Sequence, residues 1–418
     1  MYQERLDAEV QEDGSVGSDY NARVTPWIWL RMPNAVGGEP THANAFFELK
    51  EGWVQRTSPG WDLRIGNQIF AWGAADQINP TDVWNPRDYY DPFMSPKLPI
   101  AAADLRIHPP QIENVNLEVI FTPFFRSSPM PVAIPDSGTL NVSATDSRWL
   151  LPIPTELSAA GVLTPLQYQI TSATYPETWQ AGARLQVTRI GGWDFSTSFY
   201  DGVESLPRFA VIGSGSASNP SLPITLTLSP SFYREQMYGL DGTGSVSFGD
   251  TVIGTRFEVA YYNRDNSRVY QAPAQFQSDL FRDNYVFGVA GADYTFQHEI
   301  LGTILYVNAM FVHFQQFGSY TGVPTVGTTI SGLPSVWPFD DNPVLYWENR
   351  FSPKLKFTGE IVASFDESDY YVVPSIQYKP SDDLTLALGG EMFFGDASAF
   401  FGQFNENSRV VFSGTYVF

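Results

Sequence analysis

Cysteine is absent from the 418 residues. That excludes disulfides, thiolate metal sites and covalently attached haem. Long apolar runs are absent too: no stretch approaches the ~18 consecutive apolar residues that a membrane-spanning helix needs. A chain of this kind can cross a membrane only as a closed barrel, because hydrocarbon offers no partners to open peptide groups. Charge is scarce, at 17% Asp, Glu, Lys and Arg, against about 25% in ordinary soluble chains. Basic residues are the scarcer sign: 24 Lys and Arg face 45 Asp and Glu, for a formal net charge of -21. Nucleic-acid binding needs a basic footprint and is excluded; a negative field that favours cations is the positive reading. There are four histidines, His42, His108, His298 and His313, and none is spaced with another as zinc ligands are. The sequence therefore gives no catalytic residue, no metal site and no cofactor, and an enzyme is not expected. Asp340, Asp341 and Asn342 carry oxygen ligands of the kind calcium takes, but a solvated loop tip accounts for them.

What the chain does contain is aromatic and β-prone. Aromatics make up 15% of it and glycine occurs 34 times, yet mean hydropathy is only -0.16. Such a balance suits strands with one face to lipid and the other to water. The C-terminal third shows the pattern best. In 383–394, Leu384, Leu386, Leu388, Met392 and Phe394 share one face, while Thr385, Ala387, Gly389 and Glu391 share the other. This period of two, held over ~10 residues, is the spacing of a tilted membrane strand.

Sixteen such segments can be read: 22–32, 42–56, 61–72, 101–108, 115–125, 178–188, 193–203, 235–248, 252–263, 284–296, 301–314, 343–351, 355–365, 368–379, 383–394 and 407–418. The connections alternate. Short turns rich in Ser, Pro, Gly and Asp alternate with longer loops such as 73–100, 126–177, 204–234 and 315–342. Short turns on one side and long loops on the other predict a single all-β domain over 1–418. Its architecture is a transmembrane, antiparallel, up-and-down barrel of about 16 strands (14–18), with periplasmic turns and extracellular loops. The parity places both termini on the short-turn side. A soluble propeller would show self-similar repeats of ~40–50 residues, and none is present.

Three groups of residues carry functional expectations. By strand parity, Arg64, Arg106, Glu118, Arg184, Arg256, Glu258, Glu348, Arg350, Glu360 and Glu391, together with Glu48 and Lys50, face the lumen, since charge at lipid depth is costly. Opposed acidic and basic walls tune ion selectivity. Trp27, Trp29, Trp53, Trp61, Tyr261, Tyr262, Phe296, Tyr370, Tyr378, Phe394, Phe412 and Tyr416 are read as aromatic girdles at the headgroups. The connection 73–100 is expected to fold inward as a constriction. It is far longer than a hairpin needs, and Trp84, Tyr89, Tyr90, Phe93 and Met94 need a surface to pack on. Its Asp76, Asp82, Arg87 and Asp88 are expected to meet Arg64 and Arg106 on the flanking strands.

Two segments carry a resemblance. The last ten residues, R-V-V-F-S-G-T-Y-V-F, place Phe412, Tyr416 and Phe418 on one face. They resemble the C-terminal assembly signal of bacterial outer-membrane proteins, which implies recognition by the barrel-assembly machinery. Residues 64–92 hold Gly66, Gln68, Trp72, Gly73 and Asp76, then Asn79-Pro80 with Asp82 and Asn85-Pro86 with Asp88. This resembles a segment of porin-like proteobacterial outer-membrane proteins, most without an assigned function. The resemblance implies a Gram-negative outer-membrane channel or uptake protein with no defined substrate, among lipids and lipopolysaccharide. By analogy with porins of this size it also implies a homo-oligomer such as a trimer. A barrel of about 16 strands leaves an aqueous channel, which reads as a passive porin for small hydrophilic solutes or ions. The alternative is a loop-plugged barrel acting as a receptor or as the sheath of a larger envelope complex. Met1, Tyr2, Gln3 and Glu4 show no export signal, so this reading expects the numbering of a processed chain.

Overall fold

The computed structural model describes residues 3–17, 19–33, 44–89, 91–129, 156–159, 162–170, 175–214, 224–270, 284–298, 303–317, 341–365, 368–396 and 399–417. They form twenty-one strands. In chain order these are β1 (Gln3–Glu9), β2 (Glu12–Val16), β3 (Tyr20–Pro33), β4 (Asn44–Ser58), β5 (Trp61–Gln68), β6 (Ile100–Ile107) and β7 (Val115–Thr122). Next come β8 (Glu156–Ala159), β9 (Val162–Ile170), β10 (Gln180–Ile190), β11 (Trp193–Val203), β12 (Arg208–Ser214), β13 (Ile224–Phe248) and β14 (Thr251–Tyr270). The last are β15 (Asn284–His298), β16 (Thr303–Phe317), β17 (Asp341–Ser352), β18 (Leu355–Ala363), β19 (Tyr370–Tyr378), β20 (Leu384–Phe394) and β21 (Arg409–Tyr416). No helix among the described residues is long and apolar enough to cross a membrane.

Sixteen strands form one antiparallel meander. It runs β3-β4-β5-β6-β7-β10-β11-β13 and on through β14-β15-β16-β17-β18-β19-β20-β21. These are the sixteen segments the sequence predicts. β1 and β2 lie end to end along the free edge of β3 and make a seventeenth position. Their acidic run, Glu9, Glu12 and Asp13, hides the period of two in the sequence. β8, β9 and β12 stand outside the meander, where β9 and β12 pair with the first half of β13.

Three expectations change. Gln3 pairs with Pro33 at the long-connection end of β3, so only β21 runs out on the short-turn side, where Tyr416 meets Leu384. The strand expected to reach Trp72 stops at Gln68, because the amide of Phe70 turns to the side chain of Asn85 and the chain leaves the ladder. Asp341 and Asn342 open β17 rather than a loop tip; Asn342 is buried and donates to the carbonyl of Ala363.

The alternation of faces is inside out. On β14, Glu258, Ala260 and Tyr262 are buried within, while Val259 and Tyr261 are exposed without. Across neighbouring strands an aromatic row runs over the outer surface. Phe199 lies 5.2 Å from Tyr238, Tyr238 lies 6.4 Å from Tyr261, and Tyr261 lies 6.4 Å from Phe317. A second row lies toward the short turns, with Trp193 stacked on Phe195, Tyr294 edge-on to Phe296, and Trp347 beside Phe357. Gly359 leaves the space that the Trp347 ring fills: a Cβ there would collide with the indole. From Tyr238 to Phe248 on β13 the rise is ten residues, which at ~3.3 Å each and a ~40° tilt gives a band about 25 Å tall.

The sheet rolls into a barrel around residues 69–99. Trp27 of β3 packs on Leu98, Tyr200 of β11 meets Trp84 edge-on, and Tyr262 of β14 donates to the carbonyl of Pro80. At the far end of the meander Tyr371 of β19 and Phe393 of β20 hold Phe93. First and last strands thus reach one interior segment. We expect Leu240→Arg, on the outer face two residues inside the aromatic row at Tyr238, to cost about 1–3 kcal/mol, and Thr243→Arg, exposed on the inner face, to cost little. Urea titration of the protein folded in lipid vesicles measures both.

Candidate functional site

The insert 69–99 is built to hold its own shape. Asn85 is its buried keystone: its Oδ1 accepts from the Phe70 amide, and its Nδ2 donates to the carbonyls of Gln68 at 3.0 Å and Leu98 at 2.8 Å. One side chain so ties the two roots of the insert together and replaces the ladder bonds lost after β5. Further out, the amide of Leu98 donates to Pro86 and that of Asp88 to Pro96, which pairs 86–88 with 96–98. Asp82 is buried between Lys97 at 2.6 Å and Arg87 at 3.5 Å. At the tip Asp91 accepts from the amides of Phe93 and Met94, capping the 3-10 turn Pro92–Met94. Burial pushes the phenol of Tyr89 above its ordinary pKa, so it stays neutral.

Several wall residues grip this unit. Glu258 on β14 is buried, and one carboxylate takes four donors. They are the amides of Ala74 at 2.9 Å, Ala75 at 3.2 Å and Thr81 at 2.6 Å, and the Thr81 hydroxyl at 2.8 Å. Gly73 makes room for it: its φ is +102°, and a Cβ there would collide with the carboxylate. Two residues along β14, Arg256 bonds both Asp76 of the insert and Asp293 of β15, and Asp76 also accepts from Asn308 of β16 at 2.8 Å. Near the insert's root, Trp72 donates to Glu118 of β7 at 2.7 Å. Trp84 lies among Phe70, Trp72 and Tyr200.

Most interior charges are neutralised in place. Arg106 bridges Asp104 and Glu118, each at 3.0 Å. Arg184 meets Asp241 at 3.2 Å and Ser196 at 2.9 Å. Glu348 takes Arg350 and Lys356, and Glu391 takes Arg409. Two groups differ. Arg64 stacks 4.1 Å from the Trp53 ring and gives Nε and Nη2 to Gln55, with no carboxylate partner among the described residues. Glu360, cross-strand from Tyr346 on the same inner face, has no described hydrogen bond or ion pair. These two lie on β5 and β18, ten positions apart around the meander.

Contrary to expectation, the insert's acids do not meet Arg64 and Arg106. Asp76 crosses the interior to Arg256, and Asp82 is satisfied inside the insert, because the segment runs across the lumen instead of along its own flanking strands. Trp27, Trp53 and Tyr262 are buried on the inner face and are not girdle residues; for Trp53 the reason is a bulge in β4, where Lys50 is skipped between Leu49 and Glu51 and the parity reverses, and Tyr262 shares the inward parity of Glu258 on β14. The side chain of Trp29 lies outside the described residues, as does Phe418; Phe412 and Tyr416 are exposed on the outer face. The sequence reading missed Asn85 and Asn308 as partners, and the segment 399–408 as a packing surface. The run of phenylalanines at 400, 401 and 404 was the available signal.

A rolled, inside-out antiparallel sheet with polar walls and an apolar band defines a transmembrane β-barrel of the outer-membrane type. No family model and no curated protein matches the chain. Among solved structures it is similar to OccAB1 of Acinetobacter baumannii, at 9% identity over 94% of this chain and 85% of that one, with a TM-score of 0.49. It is similar also to OccK9 (OpdG) of Pseudomonas aeruginosa, at 9% over 99% and 91%, TM-score 0.47. A third is Wzi of Escherichia coli, a carbohydrate-binding β-barrel involved in group 1 capsule assembly, at 9% over 98% and 77%, TM-score 0.46.

Glu258→Ala removes the acceptor of four donors. We expect the loss of about 3–5 kcal/mol to fall on local opening of that arm, read as lost amide protection and new proteolytic cleavage between 73 and 82 with the wall strands still protected.

Proposed function

We propose that the protein is an outer-membrane channel through which small hydrophilic solutes and ions diffuse passively, its bore set by the insert 69–99. The observation that carries this reading is the grip of Glu258 on the main chain of the insert. A wall carboxylate spent on positioning a loop across the interior is the construction of a constriction. The wall toward the short turns is polar, with Gln55, Arg64, Arg106, Thr243, Tyr346 and Glu348 on its inner face, as an aqueous passage requires.

Cations are the favoured ions in this reading. The side chain of Asp76 is 45% exposed on the insert, and Glu360 is uncompensated. Arg64 is the opposing charge, held on the far wall. Reversal potentials across a KCl gradient are expected to show cation preference; anion preference would mean that Arg64 and Arg106 govern the narrowest point.

Replacing 75–96 with a short Gly-Ser linker tests the channel itself. Single-channel conductance in planar bilayers is expected to rise severalfold with the barrel still folded. Unchanged conductance, with the segment cut by external protease on intact cells, would place the constriction elsewhere. A barrel that is silent as the wild type and conducts only after the replacement would be a plugged receptor or sheath. For assembly, we expect deletion of Phe418 combined with Tyr416→Ala to leave secreted but unfolded protein, seen as lost heat-modifiable migration on a gel.

A further inference from the structure

We propose that the insert has a second role: its tip staples the seam of the barrel, where the last strands of the meander come round to the first. The seam is where the last strand of the meander, β21, must come round to the N-terminal edge formed by β1, β2 and β3 for the barrel to close. The insert reaches both banks of that seam.

On the N-terminal bank Leu98 packs against Trp27 of β3. Arg126 joins Glu48 of β4 to the carbonyl of Pro99, where the insert ends. On the C-terminal bank the Phe93 ring lies 4.5 Å from Phe393, 4.8 Å from Tyr371 and 5.6 Å from Phe404. Phe401 and Phe400 close the socket at 6.3 and 6.4 Å. These separations are those of favourable ring pairs. Beside the socket Asp91 meets Arg409 of β21 at 2.6 Å, and Arg409 also bonds Glu391 of β20. Asp91 thus does two things: it caps the turn that aims Phe93, and it pairs with the last strand. The socket is itself fixed, since Asp369 accepts from the amide of Phe401.

Narrowing the bore does not call for this contact. Glu258 and Arg256 already hold the insert across the interior, on β14. The tip instead joins a segment rooted between β5 and β6 to the last three strands, so the contact forms only once the sheet has rolled round. Its ring burial and ion pair tie β19–β21 to the N-terminal wall.

The test is amide hydrogen exchange of the full chain in micelles, read strand by strand, beside the temperature at which the folded gel band converts. For Phe93→Ala, protection in β19–β21 is expected to fall about 100-fold while β13–β16 keep theirs, and the conversion temperature to fall by roughly 5 °C. Asp91→Asn keeps every ring and weakens the ion pair; about a tenfold loss confined to β19–β21 is expected. Glu258→Ala frees the other end of the insert and is expected to expose 74–81 without touching β19–β21. Unchanged protection of β19–β21 in Phe93→Ala, or an equal loss there in Glu258→Ala, would overturn the proposal. If Phe93→Ala yields no folded barrel, Asp91→Asn decides alone: protection at the wild-type level in β19–β21 overturns it. None of these measurements depends on conductance, so they stand or fall apart from the channel reading.

Discussion

In hydrocarbon no peptide group can remain unpaired, and that constraint orders everything else in this molecule. It forces the strands into one continuous sheet, rolls that sheet, and turns its apolar residues outward. The interior then inherits the polar side chains. An insert entering such an interior has few ladders to join and must find side-chain partners for its main chain. Asn85 and Glu258 are those partners. One secures the roots of the insert, the other its descending arm, and both are buried where no outer loop would need them.

The sheet was legible because a period of two, held over ten residues, fits little besides a strand with two unlike faces. All sixteen segments of the meander fall where the alternation puts them. The N-terminal strand escaped because its acidic residues mask the alternation, and it moves one end of the chain to the opposite rim. Side-chain direction was legible only while the register stayed regular. At Lys50 it does not: Glu48 and Glu51 both face inward across a bulge, and Trp53 goes inward with them. Tyr261 and Tyr262 cannot both be girdle residues, and the period of two already said so.

The insert shows the same boundary between what a sequence encodes locally and what only folding reveals. Its length, prolines and aromatic residues announce a rigid body that needs a surface. Its partners are silent in sequence, because they are far away: Glu258 lies 177 residues from Thr81 and Asn308 lies 232 from Asp76. Parity could place Arg256 and Glu258 inside. It could not say that one would seek a carboxylate and the other a row of amides. The wall charges follow a related rule. Most are matched by an opposite charge on the same strand or one or two strands away, which offsets the desolvation cost of the interior. Arg64 and Glu360 are the exceptions, and they lie on well-separated strands.

Glu258 takes hold of peptide amides at 74, 75 and 81. Apart from the Thr81 hydroxyl, it reads no side chain. This part of the attachment is therefore written in main-chain atoms. Exposed side chains on that arm, such as Gln77, can be exchanged while the mooring to Glu258 stays the same, so long as glycine remains at 73. A lineage carrying this barrel can vary the surface of the arm without first relearning how to hold it.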